Sequence, residues 1–64
     1  MVKINGELKN VDGMTITEYL ATTNYNKQRI AVECNGKIVP KKEYDVYVFK
    51  DGDSVEIVGF VGGG

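Results

Sequence analysis

Two Asn-Gly dipeptides, Asn5-Gly6 and Asn35-Gly36, each stand between short runs that alternate apolar and polar residues. A two-residue turn joining antiparallel strands needs positive φ at both central positions, which asparagine tolerates and glycine adopts without steric cost. Val2-Lys3-Ile4 therefore leads through the first turn into a returning strand over Leu8–Val11, and Arg29–Cys34 leads through the second into Lys37-Ile38-Val39. Pro40 ends the second pairing, because it has no amide hydrogen to give to a ladder. A chain of 64 residues that opens with one hairpin and places another at its centre has room left for little more than one helix and one further strand.

The helix belongs between the hairpins. Asp12-Gly13 breaks the second strand, and Thr15-Ile16-Thr17-Glu18 has the spacing of a capping box, in which the hydroxyl of the first residue and the carboxylate of the fourth satisfy each other's backbone amides. Ile16, Tyr19, Leu20 and Thr23 fall at helical spacing and form one apolar stripe, while Asn24–Gln28 is polar enough to end the element after about ten residues. Beyond Pro40, Lys41–Tyr47 reads as an irregular crossing with one helical turn, carrying Tyr44 and Tyr47 as packing residues. Asp51-Gly52-Asp53 turns the chain into a final strand, Ser54–Val61, with Val55 and Ile57 facing the core. The expected class is α+β, with one sheet wrapped around one helix over residues 1–61 and a flexible glycine tail over residues 62–64.

Composition excludes several functions. Sixty-four residues make one small domain that buries only about 60% of its unfolded surface, which leaves no room for a large cavity. Eight basic residues stand against nine acidic ones with no run long enough to follow a phosphate backbone, so nucleic acid is not an expected partner. No apolar stretch approaches the roughly 18–20 residues of a membrane span, and a cytoplasmic monomer is the expectation. One cysteine and no histidine rule out an internal disulfide and remove the usual metal-binding and Cys-His nucleophile arrangements. Cys34 shares a face with Ile30 and Val32 and reads as a small core residue. A chain so equipped enters catalysis as a substrate or carrier.

The C-terminus carries the functional signal. Gly62, Gly63 and Gly64 follow directly on the last apolar strand. Polyglycine at a chain end also fits a frayed terminus, but a glycine tail lets a foreign surface close around the main chain and thread it through a narrow channel. From Phe60 to Gly64 an extended chain covers roughly 16 Å at about 3.3 Å per residue, enough to carry a carboxylate away from the folded body. Val58 and Phe60 on the last strand form a candidate apolar docking patch, with Phe60 equally suited to anchoring the strand. Asp51, Asp53 and Glu56, close to the tail in sequence, are candidates for meeting a basic patch on a partner.

Three segments together, Val2–Gly6, Val32–Lys41 and Lys50–Gly64, resemble the β-grasp sulfur carrier proteins of thiamin biosynthesis, the ThiS family, over the whole chain. The resemblance implies a ubiquitin-like β-grasp fold with a mixed sheet of four to five strands. It also implies that the Gly64 carboxylate is adenylated with ATP by a ThiF-like activating enzyme and converted to a thiocarboxylate using sulfur from a sulfurtransferase. The sulfur then passes to a ThiG-like thiazole synthase. Gly64 would be the modified residue, Gly63 the other member of the family's Gly-Gly pair and Gly62 an additional glycine. ATP would be used by the partner, and no cofactor would be bound by the carrier. Two alternatives remain: the small subunit of molybdopterin synthase, which shares this chemistry and whose family tends to be longer, and a β-grasp binding module or protein modifier, whose tail forms amide bonds or does nothing.

Overall fold

The computed structural model describes residues 1–59, and Phe60, Val61, Gly62, Gly63 and Gly64 lie outside the described residues. Five strands form one sheet: β1 (Val2–Ile4), β2 (Glu7–Lys9), β3 (Ile30–Cys34), β4 (Lys37–Val39) and β5 (Ser54–Gly59). Their order across the sheet is β2-β1-β5-β3-β4. The last strand is thus the central one, parallel to β1 and antiparallel to β3. A single α-helix, α1 (Ile16–Leu20), and two 3-10 turns, Lys27–Arg29 and Lys41–Glu43, complete the described elements. The arrangement is the expected mixed α+β sheet packed on one helix.

Both hairpins form as their turns dictate. Asn5 and Asn35 adopt φ of 50° and 53°, and Gly6 and Gly36 adopt 85° and 84°, the double positive-φ signature of a two-residue turn. The registers close tightly on these turns, Ile4 opposite Glu7 and Cys34 opposite Lys37. The first return strand is Glu7–Lys9, not Leu8–Val11: Val11 has left the sheet and accepts a backbone bond from Met14, in the turn that starts the helix.

Each asparagine also uses its side chain on the central strand. Asn5 accepts from the Ile57 amide through Oδ1 at 2.8 Å and donates through Nδ2 to the Ile57 carbonyl at 3.2 Å, continuing the β1–β5 pairing past the end of β1. On the other flank, Asn35 Oδ1 accepts from the Ser54 amide at 2.9 Å, and its Nδ2 donates to Asp53 Oδ1 at 3.1 Å. Its backbone amide donates to the Ser54 carbonyl at 2.7 Å.

The helix is shorter than its apolar periodicity suggests, five residues rather than about ten. Its start is well satisfied. The capping box is present, with Glu18 N donating to Thr15 Oγ1 at 3.0 Å and Thr15 N to Glu18 Oε1 at 2.8 Å. The two amides that a cap leaves unpaired donate across the fold, Ile16 to the Tyr47 carbonyl and Thr17 to the Tyr44 carbonyl. The end is set by Thr22 and Thr23. Their hydroxyls donate to the Tyr19 and Leu20 carbonyls at 2.7 and 2.8 Å, and their amides bond three residues back, so the acceptors of a further α-turn are occupied. Asn26 then caps the 3-10 turn Lys27–Arg29 by accepting from the Gln28 amide, which moves the start of β3 from Arg29 to Ile30.

The core lies between helix and sheet. Val2, Ile4, Ile30, Val32, Cys34, Val55 and Ile57 alternate inward and meet Ile16, Tyr19 and Leu20. The crossing after Pro40 closes the open side with Tyr44 and Phe49, each 1% exposed. Phe49 stacks edge-on against both Tyr19 and Tyr47, with ring centroids 6.1 and 6.3 Å apart, the geometry that the ring quadrupoles favour.

Asp53 corrects one expectation: it is 4% exposed and holds the base of β5, so it is not a docking acid. Its carboxylate accepts from Asn35 Nδ2 and from the Lys50 amide, the latter at 3.0 Å, and lies 3.6 Å from Lys50 Nζ. Burial acts to raise its pKa, but the Asn35 and Lys50 donors outweigh burial and hold the carboxyl below its ordinary value. Because the folded-state pKa is the lower one, the folded protein binds fewer protons than the unfolded chain between the two values. The stabilisation is present above the ordinary carboxylate value of about 4 and is lost as pH falls through the folded value. Asp53→Asn should lower Tm at pH 7, at a cost of roughly 1–3 kcal/mol. It should also flatten the acid limb of a plot of Tm against pH; an acid limb as steep as the wild type's would show that Asp53 does not carry it.

Candidate functional site

The residues expected to act lie on or around β5, and the sheet treats its two ends differently. The N-terminal end is clamped by Asn35 and Asp53, and the C-terminal end, Gly59, pairs with Ile30 at the start of β3. From Gly59 the chain continues into residues 60–64, so the last strand is delivered to its end from the middle of the sheet. Phe60, Gly62, Gly63 and Gly64, named as patch or tail, lie outside the described residues.

Val58 is 54% exposed on the sheet face away from the helix, opposite Ala31 of β3. Glu56 lies on the same face opposite Glu33, which in turn pairs with Ile38, itself 64% exposed. Like charges directly opposite on a sheet repel, and here the pair sits beside exposed apolar side chains, a combination that suits a surface covered by a partner bearing cations. Asp51 occupies the turn before β5, exposed and ion-paired with the Met1 amino group, and this hydrogen bond holds its carboxyl below the ordinary value.

Closeness in sequence does not bring Asp51 and Asp53 to the Gly59 end of β5. Asp51 and Asp53 precede β5, and the strand carries the chain roughly 17 Å at about 3.3 Å per residue before it ends. Of the three acids only Glu56 lies along the strand beside Val58. Basic residues adjoin the partner of Gly59: Lys27 and Arg29 stand in the 3-10 turn that leads into Ile30, and Lys41 Nζ donates to the Ile30 carbonyl at 3.1 Å. The sequence reading passed over them because they become neighbours of the strand end only once β3 pairs antiparallel to β5.

The one thiol plays no part in this surface. Cys34 is 4% exposed, and burial first of all raises its pKa, against a lowering contribution from the Tyr47 hydroxyl. Tyr47 is itself pushed up to about 12, by burial and then by its hydrogen bond with Cys34. Sulfur nucleophilicity requires the thiolate, so Cys34 is built as a core atom, as its place in the alternation suggests. A thiol reagent should label it at the rate of unfolding, rising steeply across the denaturant transition; fast labelling of the native protein would contradict this placement.

No helix among the described residues is long and apolar enough to cross a membrane. The model of the ThiS family matches residues 2–64. The chain is 44% identical over 62 residues to a thiazole synthase of Paramagnetospirillum magneticum, covering 95% of this chain but 19% of that protein, so it spans about a fifth of that relative's length. It is 38% identical over 68 residues to the sulfur carrier protein ThiS of Bacillus subtilis, with 100% of both chains covered. A crystal structure of a thiamine biosynthesis protein (ThiS) from Geobacter metallireducens superposes with a TM-score of 0.76 at 31% identity, covering 98% of this chain and 97% of that one. With its five-stranded mixed sheet, single helix and central last strand, the chain belongs to the ThiS family and has its β-grasp fold.

Proposed function

We propose that this protein is the sulfur carrier of thiamin biosynthesis and that its reactive group is the Gly64 carboxylate. The observation that carries this reading is the family match, which runs over residues 2–64 and so takes in Gly62-Gly63-Gly64. The chemistry follows from the functional group. An α-carboxylate, with a pKa of about 3.3–3.7, is ionised at neutral pH and resists nucleophiles. A carboxylate oxygen attacks the α-phosphorus of ATP on a ThiF-like activating enzyme, pyrophosphate leaves, and the acyl carbon becomes part of a mixed anhydride. A sulfur nucleophile supplied through a sulfurtransferase then attacks that carbon and AMP departs with the original oxygen. With sulfide as the nucleophile the product is the thiocarboxylate directly; with the outer sulfur of a persulfide the product is an acyl disulfide, whose S–S bond a further thiol cleaves, forming a disulfide with the donor's sulfur and freeing the thiocarboxylate.

The carrier brings no base and no metal to these steps. It acts as a protein co-substrate, a monomer when free and cytoplasmic in location, and binds no cofactor of its own. The thiocarboxylate is then presented to a ThiG-like thiazole synthase, which takes the sulfur for the thiazole ring. The match to one fifth of a protein named thiazole synthase supports this partner, because a segment like this chain there shares a polypeptide with the rest of a synthase. Val58, with Glu56 at its rim, suits the docking face, and Phe60 would extend it.

Cells that need external thiazole because they lack their own carrier provide the test. Expression of the full chain should restore growth without thiazole, and the chain lacking Gly63 and Gly64 should restore none at equal abundance. Growth supported equally by the shortened chain would overturn the reading.

A further inference from the structure

The two Asn-Gly turns that hold the last strand are also places where water alone can alter the chain. An asparagine followed by glycine can lose its side-chain amide without an enzyme, because no Cβ on the glycine shields the backbone nitrogen that reacts. Once hydroxide has taken its proton, the Gly6 amide nitrogen attacks Asn5 Cγ, the Cγ–Nδ2 bond breaks and ammonia leaves, closing a succinimide ring. Water then opens the ring at either carbonyl to give aspartate or isoaspartate. Asn35 and Gly36 stand in the same relation. All four residues are exposed, and a Cβ built on Gly6 or Gly36 would meet no atom within 4 Å, so water reaches both turns.

The attack requires the side-chain amide to leave its partners, and the partners differ. Each Oδ1 accepts from one amide of the β5 segment, at 2.8 Å from Ile57 for Asn5 and at 2.9 Å from Ser54 for Asn35, so the donor side decides. Asn5 Nδ2 donates to the Ile57 carbonyl at 3.2 Å and the Tyr25 hydroxyl at 3.3 Å, both neutral acceptors. Asn35 Nδ2 donates at 3.1 Å to the buried carboxylate of Asp53, and a hydrogen bond to a charged acceptor is the stronger kind. We propose that Asn5 is a site of spontaneous deamidation in the folded protein and that Asp53 protects Asn35 from the same reaction. The product carboxylate has no proton to give to the Ile57 carbonyl, and an isoaspartate also carries an extra methylene into a turn whose two residues both need positive φ. The change is one-way, so the grip on β5 from the β1 flank has a chemical lifetime.

Peptide mapping by mass spectrometry of the purified chain, held at mildly alkaline pH and sampled over time, tests the proposal. In the native protein, exchange of NH2 for OH should accumulate roughly tenfold faster at Asn5 than at Asn35, the factor by which a hydrogen bond to a charged group exceeds a neutral one. In denaturant the two sites should react at comparable rates, each faster than in the fold. Asp53→Asn makes the acceptor neutral and should speed reaction at Asn35 relative to Asn5, whose rate reports any general loosening of the fold. Asn5→Asp, which encodes one product directly, should melt at a lower temperature than the wild type. Equal native rates at the two sites, no reaction at native Asn5 while the denatured chain is converted, Asp53→Asn speeding both sites by the same factor, or a wild-type Tm for Asn5→Asp would overturn the proposal.

Discussion

The structure depends on two asparagine side chains that grip the last strand from opposite flanks. Asn5 pairs with both backbone groups of Ile57, and Asn35 pairs with the Ser54 amide and, through Asp53, with the turn that launches the strand. An aspartate at either turn would accept but not donate, and a glycine would satisfy the turn geometry and leave the strand unheld. The amide serves twice: it tolerates the positive φ of the hairpin turn and extends the sheet's hydrogen bonding beyond the ends of β1 and β3. In this way the central strand, β5, gains side-chain bonds from the turns on both flanks in addition to its ladders with β1 and β3.

The same economy of partners holds the rest of this small domain together. A helix of five residues is marginal by itself, yet its first three amides are all satisfied, one by Thr15 and two by carbonyls of the crossing segment. The same crossing delivers Tyr44 and Phe49 to the core. Two groups with reactive chemistry are held by the folded body. Cys34 is shielded and Asp53 is saturated with donors. On the proposed reading, the group left for partner enzymes to activate is the Gly64 carboxylate.

The features legible in the sequence were those decided locally. The two Asn-Gly turns, the Thr15–Glu18 capping box, the stop at Pro40 and the inward alternation of Val55 and Ile57 depend on residues a few positions apart, and each is present. Other features depended on pairings that no short window contains. The helix ends early because Thr22 and Thr23 turn their hydroxyls back onto its carbonyls, a competition that apolar periodicity ignores. Asp53 looked like a surface acid in an Asp-Gly-Asp turn, but Asn35, 18 positions away, draws it inside. Phe49 gave no periodic signal because it lies in an irregular crossing. The basic residues that adjoin Ile30, the partner of Gly59, could be recognised as such only once β3 was known to run antiparallel to β5. The glycine tail remained the most informative functional signal, and its residues were read from chemistry and family resemblance.

Intact-mass measurement of the purified chain after incubation with ATP, a sulfur source and the activating enzyme is the most direct test, with a chain lacking Gly64 treated in parallel. A mass increase equal to exchange of one oxygen for sulfur, found only in the full-length chain and located on Gly64 by fragmentation, is the result a terminal-carboxylate carrier must give. An unchanged mass with an enzyme proven active on another carrier would contradict it, as would sulfur located on Cys34.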